Sequence, residues 1–265
     1  MAGEPIRFTD GAAYDRFMGV WSRLVGQEFL HGWRRVQTCA GWMWAAATAP
    51  SPSWWRSSAA RRRWRGVDPS EEQLAYARLL PALGSARLQS GDAMALPYGA
   101  DGFELAVMPL VIFFVPDPPR GVAEMARVVA PGGTVAAYAW DMANGGFPYQ
   151  DVRDILEELG HATPMPPSVD ASRLEALQAL WDAAGLERIK TTQIPVERSF
   201  PGFEELWGIL LQGPSAGQVV ATLSKPDQER VRERLQERWR VRGEEPVTLQ
   251  ARANAIRGEV PGRTA

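Results

Sequence analysis

The sequence predicts an α/β protein built on a mostly parallel sheet with helices on both faces. An apolar approach ends at Asp68 and is followed by a helix with Ser70 at its N-cap, which is the order of a strand and its crossover helix. Residues 103–116 are nearly all apolar after Glu104, as expected for a strand covered on both faces, and the break at Met108-Pro109 should mark the end of that strand. Residues 247–256 alternate in polarity, which predicts a half-buried last strand that runs antiparallel to the others.

The composition favours a protein that acts on a small molecule. The chain has 265 residues and a net charge of −2, so no basic surface for nucleic acid or an anionic membrane is expected. A single cysteine, Cys39, excludes an internal disulfide. No apolar run approaches the roughly 20 residues of a membrane span, and the first residues lack the features of a signal peptide. We therefore expect a cytoplasmic monomer or homodimer that binds a small-molecule substrate, no nucleic acid and no membrane.

Local signals predict further elements. Residues 14–30 carry apolar side chains at nearly helical spacing, which indicates a packing helix. Ser70 with Gln73 three positions later forms a capping box. Asp117 followed by Pro118 indicates the N-cap and first residue of another helix. The remaining expected elements are strands over 86–90, 134–140 and 186–196, and helices over 149–159, 173–185 and 227–242, with Pro131-Gly132-Gly133 ending the helix that starts at Pro118.

Two aspartates at consecutive strand ends suggest a nucleoside ligand. An acidic residue at a strand end, such as Asp68, can accept hydrogen bonds from ribose hydroxyls. Asp92, after the next strand, can accept from the exocyclic amine of an adenine. Because no phosphate-binding motif lies beside them, they suit a cationic adenosyl ligand better than an anionic dinucleotide. The alternative is that each is a helix cap or turn residue.

Four motifs follow one another along the chain: Gly66-Val67-Asp68-Pro69-Ser70, Gly91-Asp92-Ala93-Met94-Ala95-Leu96-Pro97, the apolar run 105–117, and Ala130-Pro131-Gly132-Gly133-Thr134. In this order and spacing they resemble the motifs of class I S-adenosylmethionine-dependent methyltransferases, and they are most similar to the small-molecule group often called type 11. The similarity covers roughly residues 14–141.

This resemblance implies a Rossmann-like fold with a seven-stranded sheet, S-adenosylmethionine as cofactor, and methyl transfer to a small organic acceptor. It implies that Asp68 holds the ribose, that Asp92 and the Ala93 amide hold the adenine, and that Pro109 lines the sulfonium side. Tyr14 would contact the cofactor from an N-terminal segment that folds over it. Catalytic residues are not assigned: His161, Asp141 and Tyr138 are the possible bases, and no cluster of His, Cys and acids suggests a metal.

The resemblance also implies a single domain over residues 1–265. Residues 14–141 would form the cofactor-binding core and 247–257 the last strand. The insertions 142–185 and 200–242 would form a small helical substrate cap. Their apolar residues, Phe147, Phe203, Trp207, Leu210 and Leu211, suggest a fairly apolar acceptor.

Residues 32–65 depart from the resembled pattern. The family has a strand reading roughly Leu-Asp-Val-Gly-Cys-Gly-x-Gly there, whereas residues 33–65 hold six of the chain's 11 tryptophans. Tryptophan and methionine each have one codon, so the bases of Trp42-Met43-Trp44 are known. In the reading frame that joins the last base of each codon to the first two bases of the following codon, the segment permits Leu-Asp-Val-Gly-Cys-Gly-Asn-Gly. We hypothesise that residues 32–65 are translated out of frame; the alternative is a genuine arginine- and tryptophan-rich loop.

Two other functions compete with an active methyltransferase. Without the glycine-rich loop, the chain as written would be a catalytically impaired or non-catalytic relative, since a fold does not guarantee activity. A nicotinamide oxidoreductase would require Gly-x-Gly-x-x-Gly before Asp68, and neither reading frame supplies it cleanly.

Overall fold

The strands of the computed structural model form one sheet. The model describes residues 11–32, 41–44, 63–83 and 86–262. The strands pair in the order β3-β2-β1-β4-β5-β7-β6, and only β7 runs antiparallel to its neighbours in the described part of the sheet. They are β1 Gly41–Trp44, β2 Arg63–Asp68, β3 Ala86–Ser90, β4 Phe103–Pro109, β5 Val129–Trp140, β6 Glu187–Phe200 and β7 Val247–Glu259.

Helices cover both faces of this sheet, which confirms the predicted α/β class. A π-helical turn, Asp15–Gly19, joins the first two helices into one continuous helical segment, here called the N-terminal helix. The helices are α1 Gly11–Tyr14, α2 Val20–Gly32, α3 Glu71–Leu79, α4 Pro118–Val128, α5 Gln150–Glu158, α6 Leu174–Ala183, α7 Phe203–Leu210, α8 Ala216–Thr222 and α9 Lys225–Arg238. None of the helices in the described ranges is long and apolar enough to cross a bilayer.

The predicted helix starts are confirmed by their capping bonds. The Ser70 hydroxyl accepts a hydrogen bond from the Gln73 amide at 3.2 Å, at the start of α3. The Asp117 carboxylate accepts one from the Arg120 amide at 3.2 Å, at the start of α4. Both caps satisfy amides that have no partner within the helix.

The transition from α4 to β5 differs from the prediction. We expected Pro131 to separate the helix from a strand beginning at Thr134, but β5 begins at Val129 and runs through the proline. Val129 pairs with Phe103, and the register of β4 and β5 then shifts before Leu105. Gly132 has φ +80°, a conformation that glycine adopts without strain. The glycines therefore accommodate an irregularity inside the strand.

The N-terminal helix is held by aromatic side chains, as the apolar spacing of residues 14–30 predicts. Trp21 is fully buried, and its indole Nε1 donates to the Tyr149 hydroxyl at 2.9 Å. The Tyr149 hydroxyl donates in turn to the Phe17 carbonyl at 3.0 Å. The rings of Tyr149 and Phe17 stack with their centroids 4.6 Å apart. Phe29 packs against Tyr138 of β5 at 4.9 Å between ring centroids. The N-terminal helix thus lies near the end of β5 and the start of α5.

Four helices of the two insertions, α5, α7, α8 and α9, contact one another. Here α9 packs on α5 and α8, and Arg234 and Arg238 of α9 pair with Glu158 of α5 at 2.7 and 2.9 Å. The expectation that the arginines of this charged helix are paired with acidic residues is confirmed. By contrast, α6 packs on the sheet, where the Trp181 indole donates to the Val135 carbonyl at 3.1 Å.

Candidate functional site

Three of the sequence-predicted site residues lie at the carboxyl edge of the sheet, two at the ends of the neighbouring strands β2 and β3 and one at the end of β4, which β1 separates from β2. Asp68 ends β2, Asp92 follows β3, and Pro109 ends β4. Asp68 is the register partner of Ser90 in β3, and the Gly91 amide donates to the Asp68 carbonyl at 3.3 Å. The strand order changes direction between β1 and β4, and in open α/β sheets the crevice at such a point is where ligands bind.

Both aspartates also have the local role that we considered as the alternative. Asp68 Oδ1 accepts from the Ser70 amide at 2.8 Å, and Asp92 Oδ1 accepts from the Met94 amide at 2.8 Å. Such turns fix the direction of a carboxylate without using both of its oxygens. Asp92 is exposed, and within the described residues its Oδ2 and the Ala93 amide make no hydrogen bond.

The loop that carries Asp92 is fastened to helix α4, which the sequence did not indicate. Arg127 donates to the Tyr98 carbonyl at 2.8 Å and to the Leu96 carbonyl at 3.1 Å. The Glu124 carboxylate accepts from the Leu96 amide at 2.7 Å and from Arg127. This hydrogen bonding with Arg127 lowers the pKa of Glu124. The pair keeps the loop against the sheet edge.

The chain leaves β4 in a strained conformation. Leu110, directly after Pro109, is buried and has φ +55°, which side chains with a Cβ rarely adopt. Its amide donates to the Tyr138 carbonyl at 2.6 Å, which holds the turn in place. Non-glycine residues in this region of φ cluster at functional sites, because the surrounding structure must support the strain.

Tyr14 and Leu110 line a cavity of about 50 Å³ between the N-terminal helix, the end of β4 and the first insertion. We call it the apolar cavity. Its volume is well below the roughly 300 Å³ of an ordinary ligand pocket, so in this form it fits only part of an organic molecule. Its other lining residues are Phe17, Met18, Phe113, Phe114, Trp140, Met142, Phe147, Arg153, Pro166, Pro214 and Ser215. Of the apolar insertion residues singled out in the sequence, Phe147 alone is among them.

The three possible bases are poorly suited to that role. Asp141 is fully buried, and its carboxylate pairs with Arg252 at 2.8 Å and accepts from Asn144 at 2.9 Å. Burial, with the Tyr14 phenol nearby, raises the pKa of Tyr138 far above its usual range, so this phenol keeps its proton. His161 lies half-buried in the loop after α5, and the apolar cavity is not lined by it.

Arg153 is the functional candidate that our sequence reasoning missed. It is buried in α5 and is the only charged residue among the described residues that line the apolar cavity. The signal in the sequence was an arginine between the apolar positions Val152 and Ile155 of a short helix. That pattern does not distinguish a cavity arginine from one that is paired at the surface.

Most of the segment 32–65 lies outside the described residues. Of its length, the structure describes β1, whose backbone pairs in parallel with β2 and β4, and the start of β2. The expected loop after β1, and Cys39, are outside the described ranges. Within those ranges, no group of three or more His, Cys, Asp or Glu side chains is arranged to hold a metal ion.

Comparison with known proteins shows which protein family this chain resembles. A family model described as a methyltransferase domain matches residues 48–137, a range that contains Asp68, Asp92, Ala93 and Pro109. Over 125 residues the chain is 38% identical to demethylmenaquinone methyltransferase of Desulfitobacterium hafniense, covering 45% of this chain and 47% of that one. The chain therefore spans about half the length of this curated relative.

Two further comparisons cover more of the chain at lower identity. Methyltransferase GfsG of Streptomyces halstedii is 26% identical over 202 residues, or 66% of this chain and 70% of that one. The solved structure of the YcgJ protein of Bacillus subtilis has a TM-score of 0.52 and 17% identity, covering 86% of this chain and 95% of that one. At that identity the likeness supports the fold alone.

Proposed function

Since this chain belongs to the class I S-adenosylmethionine-dependent methyltransferases, we propose that it transfers the methyl group of S-adenosylmethionine to a small organic acceptor. The observation that carries this proposal is the set of polar groups at the carboxyl edge of β2, β3 and β4. Asp68 and Asp92 follow neighbouring strands, and the Asp92 Oδ2 atom and the Ala93 amide make no hydrogen bond to a described residue.

These groups fit an adenosyl ligand by their donor and acceptor chemistry. An adenine presents an exocyclic amine that donates and a ring nitrogen that accepts, which complements the Asp92 carboxylate and the Ala93 amide. The Asp68 carboxylate would accept from ribose hydroxyls. Pro109 would line the sulfonium side, and Tyr14 would close the site from the N-terminal helix.

S-adenosylmethionine, when bound, supplies an activated methyl group. The residues of this chain would bind, align and enclose the two reactants. Alignment is worth much of the barrier in such transfers, so an elaborate acid-base apparatus is not required. The aromatic side chains around the apolar cavity, Phe113, Trp140 and Phe147 among them, would exclude water from the acceptor. We propose that α5, α7, α8 and α9 form the substrate cap, in a single domain with the sheet.

The test is calorimetric titration of S-adenosylhomocysteine into the chain as written and into Asp92→Asn. Asparagine keeps the Oδ1 acceptor that the Met94 amide needs, so the variant removes the charge and retains the turn. Because a hydrogen bond to a charged group contributes about 1.5–3 kcal/mol, we expect affinity to fall by about ten-fold or more. Asp227→Asn, a half-exposed carboxylate on α9, is the matched control and should bind as the parent does.

A second comparison addresses the impaired alternative. S-adenosylhomocysteine is titrated into a form in which residues 32–65 are restored to the alternative frame. Binding by the restored form alone supports the methyltransferase family site and an impaired chain as written. Binding by neither form contradicts the proposed function.

A further inference from the structure

Arg153 is a buried arginine to which the described residues offer no buried counter-charge. It lies in α5 between Val152 and Ile155, both buried, and is itself 6% exposed. A guanidinium withdrawn from water is costly unless it is paired. Burial is the main influence on its pKa and lowers it, against the opposing effect of Asp154 and Glu157.

The contacts that the described residues make with the Arg153 guanidinium involve one of its three nitrogens. Nη2 donates to the Pro164 carbonyl at 3.1 Å and contacts the Met165 sulfur. Within the described ranges, no carboxylate forms an ion pair with Arg153, and Nε and Nη1 have no acceptor. The adjacent Asp154 is engaged elsewhere: it accepts from Gln150 at 2.7 Å and lies 3.7 Å from Arg238. The arginines of α9, by contrast, are paired with acidic partners.

The position of this cation relates it to the acceptor. Arg153 lines the apolar cavity together with Tyr14 and with Leu110, the residue that follows Pro109 at the end of β4. Ser215, also buried, is the other polar lining residue from the insertions, and its hydroxyl makes no hydrogen bond to a described side chain or backbone group. A lone cation in a wall of aromatic and apolar side chains is the arrangement that recognises an apolar molecule with one anionic group.

We propose that Arg153 binds an anionic oxygen group of the methyl acceptor, a carboxylate or a phosphate monoester, while the surrounding rings pack against its apolar body. The identification of the bound molecule as the methyl acceptor rests on the proposed function, whereas the anion site itself does not depend on it. The volume of about 50 Å³ fits the anionic group, and the remainder of the acceptor would extend toward Tyr14 and the cofactor edge.

The experiment uses the full chain with saturating S-adenosylhomocysteine and three small probes: benzoate, phenyl phosphate and the uncharged benzamide. Binding is measured by calorimetry or ligand-observed NMR. We expect at least one anionic probe to bind about ten-fold or more tightly than benzamide, and Arg153→Gln to abolish that difference. The preferred anion identifies the group. Arg188→Gln, an exposed arginine of the edge strand β6 that pairs with Glu259, is the control and should leave probe binding unchanged.

Stability distinguishes a binding arginine from a structural one. Arg153→Met removes a buried charge, so we expect its melting temperature to equal or exceed that of the parent. A clear fall in melting temperature, together with unchanged probe binding, would overturn the proposal. So would equal binding of all three probes to the parent protein.

The acidic residues outside the described ranges, Glu4 and Asp10, supply a further arm. The double variant Glu4→Gln/Asp10→Asn is combined with Arg153→Met, and the changes in stability are compared. If these changes are not additive and no anionic probe binds the parent, then Arg153 is neutralised by an acidic residue of the chain and the proposal is wrong. Failure of S-adenosylhomocysteine binding, with benzoate still bound in an Arg153-dependent way, would instead contradict the proposed function and leave the anion site in place.

Discussion

At the scale of single residues, the unused phenol of Tyr138 gives a prediction about catalysis. The hydroxyl is buried in β5 and has no hydrogen-bond partner in the described part of the chain. A buried, unsatisfied polar group costs about 1–3 kcal/mol. Tyr138→Phe should therefore leave the stability unchanged or raise it by about 1 kcal/mol, and should leave methyl transfer intact because the phenol keeps its proton.

The measurement is a pair of denaturant titrations alongside an activity assay with the acceptor that is eventually identified. A loss of activity at constant stability would assign Tyr138 a role in binding or proton transfer. Tyr98→Phe is a matched control, since its hydroxyl is likewise buried and without a described partner but belongs to the loop that carries Asp92.

Residue types alone could not have separated the three possible bases. Asp141 was attractive in the sequence because it follows the fifth strand, yet its partner Arg252 lies 111 positions later. Arg153 likewise could not be identified from its residue type, because its position in the wall of the apolar cavity depends on where Pro164 and the N-terminal helix lie. An ion pair between residues far apart in the chain, or the burial of a residue by a distant segment, produces no periodic pattern in a single sequence.

At the scale of elements, the loop after β3 depends on helix α4 for its position. Three carbonyl oxygens of the loop, those of Met94, Leu96 and Tyr98, accept from Arg120 and Arg127. Arg127→Met should loosen this loop and so weaken S-adenosylhomocysteine binding several-fold, roughly 1 kcal/mol, by making the Asp92 and Ala93 groups less well ordered. Arg127→Lys should lose less than Arg127→Met, because it keeps one donor.

Hydrogen exchange checks whether the effect passes through the loop. Amides of residues 92–98 should exchange faster in Arg127→Met, while those of β7, on the other side of β5, should be unchanged. Weaker binding without faster exchange of the loop would show that Arg127 acts in another way.

Elements governed by local chemistry were the most predictable from sequence. Ser70 and Asp117 start their helices through hydrogen bonds that span three positions, and Met108-Pro109 ends β4 where the proline breaks the run. The start of β5 was wrong because Val129 is placed by pairing with Phe103, a tertiary contact that outweighs the local signal of Pro131. The positions of Asp68, Asp92 and Pro109 at strand ends were predictable for a related reason: a parallel sheet brings its carboxyl ends to one edge.

At the scale of the whole molecule, the N-terminal helix, the sheet and the first insertion meet at Tyr149. Its ring stacks on Phe17, contacts Trp21 edge-on, and its hydroxyl bonds to both of those residues. The same helix brings Tyr14 to the apolar cavity. The arrangement of the residues around the apolar cavity is therefore linked to the buried phenol of Tyr149.

That phenol predicts how stability depends on alkaline pH. Burial raises the pKa of Tyr149 from 10.0 to about 12. The folded protein thus retains a proton that the unfolded chain releases above pH 10. The contribution of Tyr149 to the free energy of unfolding is therefore complete below pH 10 and is lost as the pH rises toward 12, by up to about 1.4 kcal/mol per pH unit.

Thermal melts from pH 9 to 11.5 should show the melting temperature falling more steeply in the parent than in Tyr149→Phe. Tyr76→Phe should lie closer to the parent than Tyr149→Phe does, since burial also raises the pKa of the half-exposed Tyr76 but by less. Parallel pH profiles for the parent and Tyr149→Phe would contradict this account, and would mean that the N-terminal helix separates from Tyr149 before the protein unfolds.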